Sequence, residues 1–210
     1  MISLEAIIRE FGREALRLQL RESQQIDNRA LQAIHNKAAL DRSEAIRSWL
    51  QSYQVFQGIE GPRRIAIATA VLNWADTCDP QRSLATVDDL TTAHEEMMAV
   101  CELANGDKRD FTSLASKALW LCYPDAVPIF DSFAQRALWV ISKLESDITT
   151  LAGTASEYRK FIHVWKTLYD RYARAINEIE SGTYPYRVRI FDKVLWLVGE
   201  PLYGRRLEIP

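Results

Sequence analysis

A lysine and an aspartate lie on either side of a proline-bounded turn in SKALWLCYPDAVPIFDSFAQRAL, residues 116–138. Asp131 directly precedes a helical stretch, where its carboxylate can accept hydrogen bonds from unpaired backbone amides. The positive end of that helix favours the ionised carboxylate, which can stabilise a developing cation. The structural alternative is that Asp131 only caps the helix and that Lys117 is a solvated surface residue.

The helix predicted over residues 111–122 places Lys117 on a particular face. Apolar side chains form one broad face of its helical wheel, and the other face carries Ser113, Ser116, Lys117 and Trp120. We therefore expect Lys117 to point away from the core stripe of its own helix, with Ser113 one turn before it. Trp120 is either an exposed or cleft-lining indole or, as is common at helical spacing, a packed one.

A second residue competes with Asp131 as the helix cap. The sequence SFAQ, residues 132–135, fits the Ser-x-x-Gln capping box. In that register Ser132 would be the cap and Asp131 would lie just outside the helix, still beside its positive end. We hypothesise that Asp131 is catalytic rather than only a cap.

The helices that position these residues account for almost the whole chain. Apolar spacing predicts an all-α fold without a convincing strand. Helices are expected over 3–20, 28–53, from Arg63 to about Ala75, 86–104, 111–122, 132–146, 155–181 and 188–199, with Thr86 as the cap of the fourth. The 210 residues are predicted to form a single helical domain, and a boundary between two lobes would fall near 80–86.

The amino-acid composition bears on cofactor binding and on cellular location. Three widely spaced cysteines match no metal-ligand pattern, which favours buried or inert thiols in a reducing cytosol, and the three histidines are far apart. We expect neither a metal nor another cofactor. No leader-like start and no run of 18 apolar residues occurs, so a cytoplasmic protein that does not contact membranes is predicted. The sequence does not predict an oligomeric state.

Two segments carry a resemblance to a known family. SLASKALWLCYPDAVPIFDSFAQRAL (113–138) and RIFDKVLWLVG (189–199) resemble the bacterial OGG-like group of DNA glycosylases, in the helix–hairpin–helix glycosylase superfamily. The resemblance implies two helical lobes around a cleft. It also implies an enzyme that excises a damaged or modified base from DNA, such as an 8-oxoguanine-like lesion or a modified phage base. DNA repair and phage defence are both compatible with that activity.

The resemblance implies roles for individual residues. Asp131, in PIFD, matches the aspartate that stabilises the cationic sugar. Lys117 matches the lysine that attacks the sugar and forms a Schiff base if the enzyme is also an abasic-site lyase. In a monofunctional enzyme Asp131 would instead orient water, and Lys117 would neutralise a phosphate. Trp120, Ser113 and Ser116 are the expected substrate contacts, and both schemes stay open.

DNA binding requires local positive charge, because the net charge of −2 provides no global attraction for nucleic acid. The turn ANGDKRD, residues 104–110, precedes the Lys117 helix and can present side chains to phosphate. The predicted DNA contacts are Lys108, Arg109 and Arg136, although each could equally be a solvated surface charge. The alternative function is a non-catalytic helical module that binds a protein or a nucleic acid.

Overall fold

The computed structural model describes residues 4–22, 26–145, 148, 150–151, 154–179 and 184–202. The predicted all-α fold is confirmed, since no strand occurs among these residues. Ten α-helices lie in the described part: α1 Leu4–Glu22, α2 Asn28–His35, α3 Arg42–Ser52, α4 Gly61–Thr77, α5 Val87–Asn105, α6 Thr112–Cys122, α7 Ser132–Leu144, α8 Glu157–Arg171, α9 Ala173–Asn177 and α10 Arg187–Gly199. A 3₁₀ turn, Glu200–Leu202, follows.

The chain divides into two compact units, of which the first is formed by two separate segments and the second by one continuous segment. Unit 1 comprises Met1–Leu20 and Phe130–Pro210, and unit 2 comprises Arg21–Ile129. Residues 80–86, where the sequence analysis placed a lobe boundary, lie inside unit 2. Among the described residues, no helix combines the length and the apolarity needed to cross a membrane.

Helix α5 shows how local sequence sets the helix ends of unit 2. Thr86 is its cap, as predicted, and the Thr86 hydroxyl accepts a hydrogen bond from the Asp89 amide. The Asp89 carboxylate accepts one in return from the Thr86 amide, which completes a capping box. The helix ends at Gly106, whose φ of 79° lies in the left-handed region that glycine adopts without strain.

The prediction of one helix over residues 28–53 is wrong, because the structure divides this stretch into α2 and α3. Asn36 ends α2, and its side-chain oxygen accepts a hydrogen bond from the Ala38 amide in place of a helical bond. Asp41 then adopts a left-handed conformation, with φ of 52°, directly before α3. Both residue types adopt such local turns readily.

Helix α6 packs against several other helices. It contacts α2, α3 and α5 within unit 2, and every residue from Leu114 to Cys122 is buried. The alternative in which Lys117 is a solvated surface residue is therefore wrong. A helical wheel identifies the more apolar face, but it cannot show whether the opposite face is also covered.

In unit 1, the main packing joins α7 and α10. They approach closely at Gly199, where a Cβ atom would lie 1.9 Å from the backbone oxygen of Phe133. The helix predicted over 155–181 is shorter and interrupted, since α8 ends at Arg171 and α9 follows Tyr172. The end of that prediction, residues 180–181, lies outside the described residues.

Candidate active site

Lys117 is a buried lysine held along the axis of α6. Its side chain is only 3% exposed, and Nζ donates a 2.7 Å hydrogen bond to Oγ of Ser113, one helical turn earlier. The Ser116 hydroxyl donates to the Ser113 backbone oxygen at 3.0 Å. The structure thus brings together three of the residues that the sequence singled out, in one buried polar cluster on α6.

Trp120 belongs to the core of unit 2. Its indole is fully buried and stacks on Trp49, with ring centroids 5.7 Å apart. Trp49 is fixed in turn, because its Nε1 donates to Oδ1 of the buried Asp27 at 2.8 Å. The Tyr53 hydroxyl donates to the same oxygen at 3.1 Å. The packed alternative for Trp120 is the one found, and the exposed alternative is wrong.

Asp131 is the N-cap of α7, in unit 1. Its carboxylate accepts a 2.8 Å hydrogen bond from the Phe133 amide, and its backbone oxygen accepts one from the Gln135 amide. Ser132 is the first residue of the helix, so the alternative in which Ser132 caps α7 is wrong. Asp131 is half-buried, which leaves part of the carboxylate accessible. The hydrogen bonds of the cap fix the position of Asp131, and its catalytic role stays a hypothesis.

Two of the predicted DNA contacts lie in the exposed turn between α5 and α6. The guanidinium of Arg109 donates to the Gln57 backbone oxygen at 3.0 Å and lies 5.7 Å from the centre of the Phe111 ring. Lys108 is exposed beside it. The third, Arg136, is half-buried on α7, in unit 1.

The same turn also carries negative charge. Asp107 forms an ion pair with Arg63 of α4. Asp110 accepts a 2.8 Å hydrogen bond from the Thr112 amide at the start of α6. That bond and the Thr112 side chain hold the pKa of the Asp110 carboxyl below its usual range. Any attraction for phosphate at this turn must therefore come from Lys108 and Arg109 against two neighbouring carboxylates.

A cluster of buried charge on α10 was missed, because the sequence analysis gave no role to individual residues of the segment RIFDKVLWLVG. Arg189, Asp192 and Lys193 are each at most 6% exposed. The indole Nε1 of Trp165 donates to Asp192 at 2.8 Å, and Lys193 Nζ lies 5.0 Å from the centre of the Trp196 ring. Three charged residues at i, i+3 and i+4 in an apolar helix were the signal available in the sequence.

His94 has a structural role in unit 2, which its burial and its hydrogen bond indicate. His94 is 3% exposed, and its Nε2 donates to the Thr112 backbone oxygen at 3.0 Å. Burial lowers the pKa of His94 to about 4, so the imidazole is neutral at physiological pH. In the described part of the chain, no three His, Cys, Asp or Glu side chains come close enough to hold a metal ion.

Comparison of the chain with protein-family models, with curated proteins and with solved structures found no match in any of the three. Function must therefore be inferred from the residues themselves.

Proposed function

We propose that the protein is a DNA N-glycosylase that excises a damaged or modified base and acts through Asp131 and Lys117. The single observation that carries the proposal is the burial of Lys117, which is 3% exposed on α6. Buried lysines are rare because desolvation of an ammonium group is costly, and they are often retained for function. Sequence resemblance independently selects the same residue.

The chemistry begins with a nucleotide that is flipped out of the DNA stack. As the bond between base and sugar breaks, its electron pair leaves with the base, which takes up a proton, and positive charge develops on the sugar. Asp131 supports this step because its carboxylate is fixed by the Phe133 amide at the start of α7. The positive helix end favours the anionic form that a cationic sugar requires.

Lys117 supports a second, covalent step. A neutral amine attacks the cationic anomeric carbon, a new carbon–nitrogen bond forms, and the amine loses a proton. The bond from that carbon to the ring oxygen then breaks, the ring oxygen takes up a proton, and a Schiff base results. Loss of a proton from the 2′ carbon finally expels the 3′ phosphate with the electron pair of its carbon–oxygen bond. The hydrogen bond from Nζ to Ser113 orients the amine along α6. A monofunctional enzyme would use Asp131 to activate water instead, and Lys117 would serve DNA binding.

The decisive experiment screens duplexes that carry different modified bases for the formation of abasic sites, under reducing conditions. For a duplex from which the protein excises a base, Asp131→Asn should reduce the excision rate at least about a hundredfold. This is a typical loss for a well-placed electrostatic group. The folded state should survive, because Asn caps helices about as well as Asp. Asp89→Asn is the matched control, since it alters another carboxylate at a helix start.

Borohydride trapping distinguishes the mechanism in which Lys117 attacks the sugar from the one in which Asp131 activates water. If Lys117 is the nucleophile, Lys117→Gln abolishes the trapped enzyme–DNA adduct that the unmutated protein forms. Lys193→Gln is the control, because Lys193 is also buried but lies on α10. Trapping that persists in Lys117→Gln and disappears in Lys193→Gln would transfer the role to Lys193. The absence of excision on every duplex, with DNA binding retained, would favour the non-catalytic module.

A further inference from the structure

A small cavity in unit 2 brings two cysteines together. It has a volume of about 210 Å³, and its wall includes Cys78 and Cys122. Cys78 directly follows α4, and Cys122 is the last residue of α6. The 43 intervening residues concealed this proximity in the sequence, where the cysteines were expected to be buried or inert. Cys78 is half-buried rather than buried.

The two thiols differ in their surroundings. Cys122 is 7% exposed and Cys78 is half-buried, and the cavity also includes the exposed side chains of His35 and Lys37. A small solute can therefore reach Cys78 from solvent. Cys101, the third cysteine, is fully buried and does not belong to this cavity.

The pKa values of the two thiols differ as well. The neighbouring Cys122 side chain, followed by that of Tyr123, lowers the pKa of Cys78 to about 6, and the charge of Arg82 adds to the effect. The nearby Cys78 thiolate and burial raise the pKa of Cys122 well above its usual value. As thiols, Cys78 donates to the Ala75 backbone oxygen at 3.3 Å and Cys122 donates to the Ala118 backbone oxygen at 3.5 Å. Cys78 is the thiol of the two that loses its proton more readily.

The other ionisable side chains at or near the cavity form ion pairs or hydrogen bonds with other groups of the protein. Asp76 forms an ion pair with Arg42 at 2.8 Å, and Arg82 forms one with Glu96. Lys37 Nζ donates to the Asp76 backbone oxygen at 3.3 Å, and His35 Nε2 donates to the Leu121 backbone oxygen at 3.0 Å. These contacts leave Cys78 as the nucleophile of the cavity.

We propose that Cys78 and Cys122 form a reactive dithiol site for small hydroperoxides, in which Cys78 is oxidised and Cys122 converts the product to an intramolecular disulfide. An accessible thiolate next to a second thiol is the arrangement that redox-active cysteine pairs share. This site is independent of the glycosylase activity proposed above.

The reaction balances in two steps. The Cys78 thiolate attacks the peroxide, a sulfur–oxygen bond forms, the oxygen–oxygen bond breaks, and the leaving oxygen takes a proton to become water or an alcohol. The sulfur loses two electrons, and the peroxide gains them. Cys122 then attacks the sulfur of the Cys78 sulfenic acid, a sulfur–sulfur bond replaces the sulfur–oxygen bond, and the Cys122 proton leaves in a second water molecule.

The disulfide would connect the ends of α4 and α6. Helix α6 also carries Lys117, so oxidation would add a covalent constraint to the helix that holds the candidate nucleophile. We expect the oxidised protein to show slower amide hydrogen exchange at the ends of both helices and a higher melting temperature than the reduced protein.

The test treats the purified full chain with hydrogen peroxide and follows it by intact mass and peptide mapping. The expected product has lost the mass of two hydrogen atoms and contains a Cys78–Cys122 disulfide. Cys122→Ser should instead accumulate a sulfenic acid at Cys78 that dimedone traps, and Cys78→Ser should yield neither product. Cys122→Ala replaces Cys122→Ser if a buried hydroxyl prevents folding.

Cys101 supplies the internal control. Burial raises the pKa of its thiol to about 12, so its peroxide oxidation should be at least about a hundredfold slower than that of Cys78. Cys101→Ser should form the Cys78–Cys122 disulfide at the unmutated rate. Equal oxidation of Cys78 and Cys101 would overturn the proposal. A disulfide that forms only between two chains would overturn it as well.

Discussion

Trp120 lies face to face with Trp49 in unit 2, with 10° between the ring planes. Both indoles are almost completely buried, so together they form the aromatic centre of the core on which α6 packs. The side chain that the sequence analysis named as a substrate contact is therefore also one on which the stability of unit 2 depends.

We expect Trp120→Phe to lower the free energy of unfolding by about 1–3 kcal/mol, because the smaller ring leaves a gap against Trp49. Urea denaturation followed by circular dichroism measures the change. Trp139→Phe is the matched control, since Trp139 is 44% exposed and its loss should cost about 0.5 kcal/mol or less. Equal stability of Trp120→Phe and the unmutated protein would contradict the core role.

Asp27 anchors the same aromatic cluster. Asp27→Ala should lower the free energy of unfolding by about 2–4 kcal/mol, because the Trp49 indole and the Tyr53 hydroxyl both lose the acceptor that they share. Asp27→Asn keeps one oxygen and should cost less. The exposed Asp125 offers a control, in which replacement by Ala should change stability by about 0.5 kcal/mol or less. A neutral Asp27→Ala would show that the shared acceptor contributes little.

His94 should make the protein less stable in mild acid. Its folded-state pKa of about 4 lies below the ordinary value of 6.5, so the unfolded chain binds a proton that the folded chain excludes. The stability contribution is present above pH 6.5 and is lost as the pH falls towards 4, by roughly 3 kcal/mol in total.

His94→Gln tests this dependence, since an amide can still donate to the Thr112 oxygen but does not titrate. Unfolding free energies of both proteins, measured from pH 8 to pH 4, should show that the advantage of the unmutated protein shrinks on acidification. A difference between the two that stays constant over the range would exclude His94 as the cause.

Gly199→Ala should separate α7 from α10. A Cβ atom at this position would lie 1.9 Å from a backbone oxygen, which cannot yield as a flexible side chain can. We expect a loss of about 2 kcal/mol or more in thermal or urea unfolding. Gly61→Ala at the start of α4 is the matched control, because nothing lies within 4 Å of a Cβ atom there. Comparable stabilities of the two variants would contradict this close approach.

DNA binding, if it uses the turn between α5 and α6, should weaken steeply with added salt despite the net charge of −2. Lys108→Ala should reduce the slope of log affinity against log salt by about 1, since one phosphate contact is lost. Arg17→Ala removes an exposed charge that is paired with Glu14 and should leave the slope unchanged. Identical slopes for both variants would exclude Lys108 as a phosphate contact.

The helical elements could be predicted from sequence because their causes are local. The apolar spacing of α1, the Thr86 capping box and the left-handed Gly106 each depend on residues within a few positions of one another. The same reasoning failed over 28–53, where a turn after Asn36 and the left-handed Asp41 were not evident in an otherwise helical pattern. Asp131 could be placed at a helix start, although only the structure decided between it and Ser132 as the cap.

The sequence alone determined that the chain is helical, that Lys117 lies on one helix and that Asp131 lies at the start of the next. Tertiary structure decided the rest: the burial of Lys117 and Trp120, the division into two units, and the position of Cys78 and Cys122 in the wall of one cavity. Helix formation and capping arise from hydrogen bonds and side chains a few residues apart, which a sequence displays directly. Burial and thiol proximity arise from contacts between residues far apart in the chain, and these exist only after the helices have packed.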